Sequence, residues 1–208
     1  MTGVQTCALP ISGFTKTWTH ESNWKFYFDN FENFHEQWVH DGIIPMRLNK
    51  RTAEKWYEEV WNGCYFGLVN PTLAWQDEMQ HGLPLIPGQD PKNKNNKSAA
   101  YVMGIFPNTS LALKTNHLMV SVWRPLSPGR TESRVTWFFQ GDAATDAKYS
   151  KNRQGVIDRW VTVRSQDLVT FEGQQVARQS PVADNVIFAP FWETLVYRYQ
   201  NKLIDALR

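Results

Sequence analysis

The sequence predicts an α+β fold, an antiparallel β-sheet covered by helices on one side. Three observations predict it. Apolar residues recur at helical steps near the beginning of the chain and again through its last third. Between these regions lies a run of short strand-like segments separated by turn residues. The order is helix, meander of strands, long helix, terminal helix, without the strand–helix alternation of a parallel sheet.

Over residues 23–38, Trp24, Phe28, Phe31, His35 and Trp38 fall at steps of four, three, four and three, one face of an α-helix. His35 then lies on the buried stripe and Glu32 on an adjacent flank. A five-residue step turns an ideal helix by about 140°. For His40 to point with His35, the helix must break near His40-Asp41-Gly42, and Gly42 and Pro45 agree with a stop there. Strands are expected over residues 65–70, 100–106, 110–115, 117–125 and 134–140, with turns at Pro107-Asn108, Thr115-Asn116 and Ser127-Pro128-Gly129. Residues 82–98, rich in Gly, Pro, Asn and Lys, suit a long exposed loop, a candidate lid. Over residues 145–178, Val156, Trp160, Val163, Asp167 and Thr170 repeat the helical step, so an aspartate occupies a core-facing position. Residues 190–207 close the chain with an amphipathic helix carrying Phe191, Leu195, Tyr199, Leu203 and Leu207.

At 208 residues the chain can bury a substantial core. Its 22 basic and 20 acidic residues are well mixed and leave a net charge of +2, which argues against nucleic acid or an anionic membrane as partner. Aromatic residues make up 14% of the chain, enough for a thick aromatic core and for lining an organic ligand's cavity. No apolar run approaches the ~20 residues that span a bilayer. The absence of a secretory segment and the presence of only two cysteines, Cys7 and Cys64, lead us to expect a cytoplasmic protein. Residues 1–12, MTGVQTCALPIS, match nothing that follows and resemble the translation of a sequencing-adapter oligonucleotide. They are set aside, leaving a domain over residues 13–208 and the expectation that the gene begins upstream.

A lone histidine on an apolar face is ordinarily a hydrogen-bonded core residue, and a buried aspartate is ordinarily paired, here with Arg164 or Arg159. Taken together, His35, His40 and Asp167 fit the two-histidine, one-carboxylate set that holds a mononuclear iron with open positions for dioxygen.

The segment NWKFYFDNFENFHEQWVH, residues 23–40, resembles the start of the catalytic domain of Rieske-type non-haem iron oxygenases, the ring-hydroxylating α-subunit family. Asn23-Trp24-Lys25, the acid Glu32 and the His-x4-His pair all stand as in that family. FPNTSLAL, HLMVSVWRPLSPGRTESRVTWFF and VRSQDLVTFEGQQVARQS continue the likeness in order. The resemblance implies a START-like, helix-grip fold in which His35, His40 and Asp167 hold Fe(II). Glu32 would be the carboxylate linking a histidine ligand to a Rieske [2Fe–2S] cluster of the neighbouring subunit. Glu172 and Gln175 would support the helix near the site, and Asn23 would be a further supporting group. It also implies electrons from NAD(P)H through a reductase or ferredoxin, and a homotrimer or α3β3 assembly. The reaction would be hydroxylation, dihydroxylation or dealkylation of a small organic substrate, aromatic or quaternary ammonium. The Cys-x-His and Cys-x2-His pairs of a Rieske cluster do not occur in the 208 residues, so the cluster domain is expected before Gly13. His20 and His81, distant from any such cysteine, are expected to be solvated. The same architecture also serves hydrophobic carriers, the competing reading. A zinc hydrolase is disfavoured by the lack of an HExxH spacing.

Overall fold

The computed structural model describes residues 11–32, 35–40, 58–70, 81–86, 89, 100–184 and 187–208. Its centre is a seven-stranded antiparallel sheet in the order β1-β7-β6-β5-β4-β3-β2. The strands are β1 (Ile11–His20), β2 (Glu58–Trp61), β3 (Tyr65–Asn70), β4 (Ala100–Ile105), β5 (Thr109–Leu113), β6 (Leu118–Ser127) and β7 (Arg130–Gln140). From β2 to β7 each strand pairs with the next in sequence, and β1 then adds along β7 from Ile11↔Gln140 to His20↔Thr131. Among the described helices are α1 (Phe26–Asp29), α2 (Glu36–Val39), α3 (Asp142–Thr145), α4 (Ser150–Arg178) and α5 (Thr194–Ala206). No described helix is long and apolar enough to cross a membrane.

Burial alternates along β7, with Thr131, Ser133, Val135, Trp137 and Phe139 inside. That period of two marks one covered face. The cover divides the core in two. One cluster joins Phe26, Phe28, Phe31, Phe66, Trp123, Phe171, Leu195 and Tyr199. The other joins Met119, Val135, Trp137, Phe139, Val156 and Ile157. The α4 helix reaches both, through Val156 and Ile157 in one cluster and Phe171 in the other. Tyr199 of α5 stacks on Phe28 at 4.7 Å and donates its hydroxyl hydrogen to the Pro107 carbonyl at 2.8 Å, tying the last helix to the β4–β5 turn.

The five expected strands form, with ends shifted by a few residues; β1 and β2 were not anticipated. The continuous helix expected over residues 23–38 does not form. It is replaced by α1, a 3₁₀ turn at Asn30–Glu32 and α2, with residues 33–34 outside the described set. Phe26, Phe28 and Phe31 are all buried, while Trp24, in the turn before α1, is only half-buried. As expected, the helical segment stops at His40, which caps α2 at φ −107°. Gly42, Pro45 and most of the 82–98 loop lie outside the described residues, but Leu83 at its start is buried. The terminal helix is shorter than its pattern, and Phe191 and Leu207 at the ends of that stripe are exposed.

His20 is not solvated; it is buried, with Nδ1 2.7 Å from the Ser22 hydroxyl. His81 is not free in solvent either, since its ring lies 3.1 Å from where a side chain on Gly155 would begin, and its Nε2 is buried. His117 is fully buried at the β5–β6 turn, where its Nδ1–H donates to Asn116 Oδ1 at 2.6 Å and its Nε2 accepts the Trp160 indole N–H at 2.7 Å. Both bonds suit the neutral ring. Burial, then the nearby Arg164, push His20 down to about 4. Burial, then Lys114 and His81, push His117 down to about 3.

Two predictions follow from this packing. Phe28→Ala removes a side chain with no exposed surface and is expected to cost about 3–5 kcal/mol, read from the midpoint of chemical unfolding. The depressed histidines bind protons in the unfolded chain, from about pH 6.5 downward, before they do so in the folded one. Their contribution is therefore complete above pH 6.5 and lost as pH falls toward 3–4. Asp29, raised by burial to about 6, works in the opposite sense between its unfolded value of 3.8 and 6. In a series of melting temperatures against pH, His117→Gln should flatten the acid-side decline relative to the parent; equal slopes would refute the assignment.

Candidate metal centre

Three stretches of chain meet at the site: the Glu32 turn, the short α2 helix, and the middle of α4. His35 sits at the N-cap of α2 with helical φ −63° and ψ −27°, and its carbonyl accepts the Val39 backbone N–H at 3.0 Å; His40 is the C-cap, where the backbone leaves the helix at φ −107° and ψ 28°. Glu32 accepts from the His35 Nδ1–H at 2.5 Å and from the His35 backbone N–H at 3.3 Å. Gln166 accepts from the His40 Nδ1–H at 2.9 Å. With each Nδ1 engaged, both Nε2 lone pairs are left for a shared position.

Carboxylates surround that position. Asp167 Oδ1 lies 3.0 Å from His40 Nε2. The two atoms are buried and close, yet they lack the alignment of a hydrogen bond, and neither has another hydrogen-bond partner among the described residues. Glu36 reaches both rings, at 3.8 Å from His35 Nε2 and 3.5 Å from His40 Nε2. One donor atom from each of His35, Glu36 and His40 lies within 4.8 Å of the others, a spacing that could hold a metal ion.

The electrostatics of the metal-free site fit the same geometry. Burial opposes charge on His40, but the Asp167 carboxylate, with Glu36 and Gln166, lifts it to about 9. Burial likewise opposes charge on His35, and Glu32 and Glu36 outweigh it, so its pKa is raised. Burial also raises Glu36, with both histidines pulling the other way. Protons thus concentrate where a divalent cation would place its charge.

Sequence reasoning named Glu32, His35, His40 and Asp167; the structure sets Glu32 against His35 and Asp167 against His40, while the three donors that share metal-holding distance are His35, Glu36 and His40. It did not name Glu36 or Gln166, although each sits beside a chosen residue in sequence. Asp167 does not take the alternative salt bridge to Arg164; that guanidinium stacks on Trp123 with its carbon 3.8 Å from the ring centre. The remaining candidates lie further along α4. Glu172 Oε1 accepts the Glu21 backbone N–H at 3.1 Å, and Gln175 Oε1 accepts that of Asn23 at 3.0 Å. Asn23 Nδ2 donates to the Pro128 carbonyl at 2.7 Å. These three clamp the segment entering α1 against α4 and the β6–β7 hairpin, rather than touching the histidines.

The fold and site define a helix-covered antiparallel sheet whose paired imidazoles and carboxylates could hold one metal ion. Residues 13–208 match the model of the ring hydroxylating alpha subunit (catalytic domain), and the chain belongs to that family, the Rieske oxygenase α subunits. Among solved structures, it is similar to the quaternary ammonium Rieske monooxygenase CntA in complex with an inhibitor, at 15% identity and TM-score 0.66, covering 95% of this chain and 49% of that one. It is similar to naphthalene 1,2-dioxygenase from Rhodococcus sp. at 15% identity and TM-score 0.63, covering 95% and 56%. Dicamba monooxygenase bound to dicamba follows at 13% identity and TM-score 0.60, covering 95% and 60%. The chain thus spans about half to three-fifths of these proteins, and at such identities the likeness concerns the fold. No curated protein sequence matches it.

Gln166→Leu removes the acceptor that fixes the His40 ring. It is expected to weaken Co(II) binding about 10–100-fold while leaving the circular dichroism spectrum unchanged. Unaltered affinity would show that the ring is held by its packing alone.

Proposed function

We propose that this domain is the oxygenase centre of a Rieske-type enzyme, with Fe(II) held by His35, His40 and Asp167 and with Glu36 as an adjoining carboxylate. One observation carries the reading: His40 Nε2 and Asp167 Oδ1 are buried, mutually close and without hydrogen-bond partners, while the Nδ1 atoms are fixed from outside. In the metal-free protein these two atoms have only each other, and a divalent ion that took both as ligands would displace the proton held between them. The donor set of imidazoles and carboxylates suits ferrous iron. A hydrophobic carrier would have no use for them.

When bound, the iron would supply dioxygen activation, with electrons that originate in NAD(P)H and arrive through a reductase or ferredoxin and a [2Fe–2S] Rieske cluster. The substrate would be a small organic molecule, aromatic or quaternary ammonium, undergoing hydroxylation, dihydroxylation or dealkylation. The chain's own residues prepare the site. Glu32 and Gln166 keep both rings in the tautomer that offers Nε2. The aromatic cluster around Phe28, Phe31 and Trp123 excludes water from one side.

Glu32 has a second part. It lines an open groove of about 370 Å³ with Asp29, Arg178, Trp192 and Glu193. Its carboxylate therefore joins His35 to the surface, where a neighbouring subunit's cluster ligand would hydrogen-bond in a homotrimer or α3β3 assembly. Such a bridge gives a short path for the electron and, on the carboxylate, a place to hold the accompanying proton.

Purified protein should contain iron, and His35→Ala or Asp167→Asn should lose at least nine-tenths of it by elemental analysis (order of magnitude). In the enzyme supplied with its electron donors, Glu32→Gln should retain iron yet lose NADH-dependent oxygen uptake on the order of 10²-fold. Wild-type iron content in both ligand variants would sink the assignment.

A further inference from the structure

Arg164 stands one turn before Asp167 on α4 and is 6% exposed. Among the described residues, its Nε and Nη2 have no hydrogen-bond partner, and no carboxylate pairs with it. Its guanidinium carbon lies over aromatic rings, 3.8 Å from the centre of Trp123 and 5.7 Å from those of both Trp18 and Tyr27. Burial lowers its pKa from 12.5 only to about 10, so it remains a cation at neutral pH.

Packing on Trp123 offsets part of the desolvation of such a charge, but it leaves the Nε and Nη2 donors unused among the described residues. The sheet beneath is unusually polar. Ser110, Ser121 and Ser133 are buried around Trp123; Ser121 pairs with Ser110 across one side and Trp123 with Ser133 across the other. The hydroxyls of Ser121 and Ser133 are likewise without partners among the described residues. Small hydroxyl side chains thus flank Trp123 on a face otherwise carrying Trp and Phe. Residues three apart on a helix have Cβ atoms about 5–6 Å from each other, so this polar patch adjoins the metal centre.

We propose that Arg164 is the anchor for a carboxylate on the substrate, holding an organic acid with its other end toward His35, His40 and Asp167. This inference rests on the oxygenase reading and narrows its substrate class. A carboxylate accepts two parallel N–H bonds from the guanidinium edge while Trp123 keeps the face. The serine hydroxyls can donate to its remaining lone pairs. A substrate whose only charge is a quaternary ammonium would meet an uncompensated buried cation and be rejected.

The test is calorimetric titration of the chain at pH 7 with benzoate, phenylacetate and acetate, and with benzamide and phenylacetamide as neutral counterparts. At least one acid should bind at least tenfold more tightly than its amide. Arg164→Met should abolish that preference. Arg164→Lys, which keeps the charge without the fork, should retain part of it. Melting temperatures check that the variants fold, and if the Met variant does not, the acid–amide comparison and the Lys variant still decide. Equal affinity for acid and amide, or no binding by any acid of the panel, overturns the inference. So does a preference that survives Arg164→Met but disappears in Lys114→Met, Lys114 being the other buried Lys or Arg among the described residues. Iron content in His35→Ala reports on the oxygenase reading separately, so the two can fail independently.

Discussion

The contact between Asp167 and His40 is the constraint on which the rest of the architecture depends. A carboxylate and an imidazole 3.0 Å apart inside a protein are tolerable only if their surroundings hold them in place. The α4 helix provides that hold because it is anchored at both ends in separate apolar clusters, through Val156 and Ile157 on one side and Phe171 on the other. Asp167 lies between these anchors. The polar centre therefore sits at the seam between two hydrophobic cores, where neither core has to accommodate it alone. The histidine segment has to come to the helix, and it does so through short turns whose aromatic residues wedge between Trp123, Phe66 and Tyr199.

Much of this was legible in the sequence, for physical reasons that differ by element. The central strands alternate between a covered and an open face, and that period survives in the residues. Asp167 announced itself as a charge on an apolar helical stripe. β1 was illegible because it is an edge strand whose residues from Gly13 to Thr17 are all exposed, so it carries no alternation. It also begins at Ile11, within the stretch set aside as foreign, whereas the family match begins at Gly13. β2 is only four residues, Glu-Glu-Val-Trp, too short for a period to register. The helix read over residues 23–38 failed because a 3₁₀ turn resets the phase, and a step count cannot detect a reset when aromatics fill both phases.

The candidate site shows the same division. His35, His40 and Asp167 were legible as chemical types at suggestive positions. Glu36 was not, because on an ideal helix a residue adjacent to His35 points about 100° away from it. His35 keeps helical φ −63° and ψ −27°, and it is the length of the glutamate that brings Glu36 Oε1 to 3.8 Å from His35 Nε2. Gln166 and Asp167 present a similar case, since consecutive helical residues both reach His40, one at each ring nitrogen. The longer glutamine side chain makes up the angular difference. Neighbouring positions become partners where side-chain length compensates for azimuth, and a pattern of spacings does not record that.

Charge balance gives the arrangement its direction. Around the two rings, Glu32, Glu36 and Asp167 supply negative charge, which a divalent ion would neutralise inside the fold. One turn away, Arg164 presents a cation against Trp123, over a floor of small hydroxyl residues. The interior is thus polarised over a short distance, with anionic ligands at one end and a cation at the other. In a low-dielectric interior such separation is sustained only if each end has a partner of opposite sign. A metal ion satisfies one end, and an anionic group entering with the substrate satisfies the other. The substrate's orientation is then set by the same electrostatics that assembles the centre, because reversing it would bring carboxylate toward carboxylate and leave the guanidinium alone.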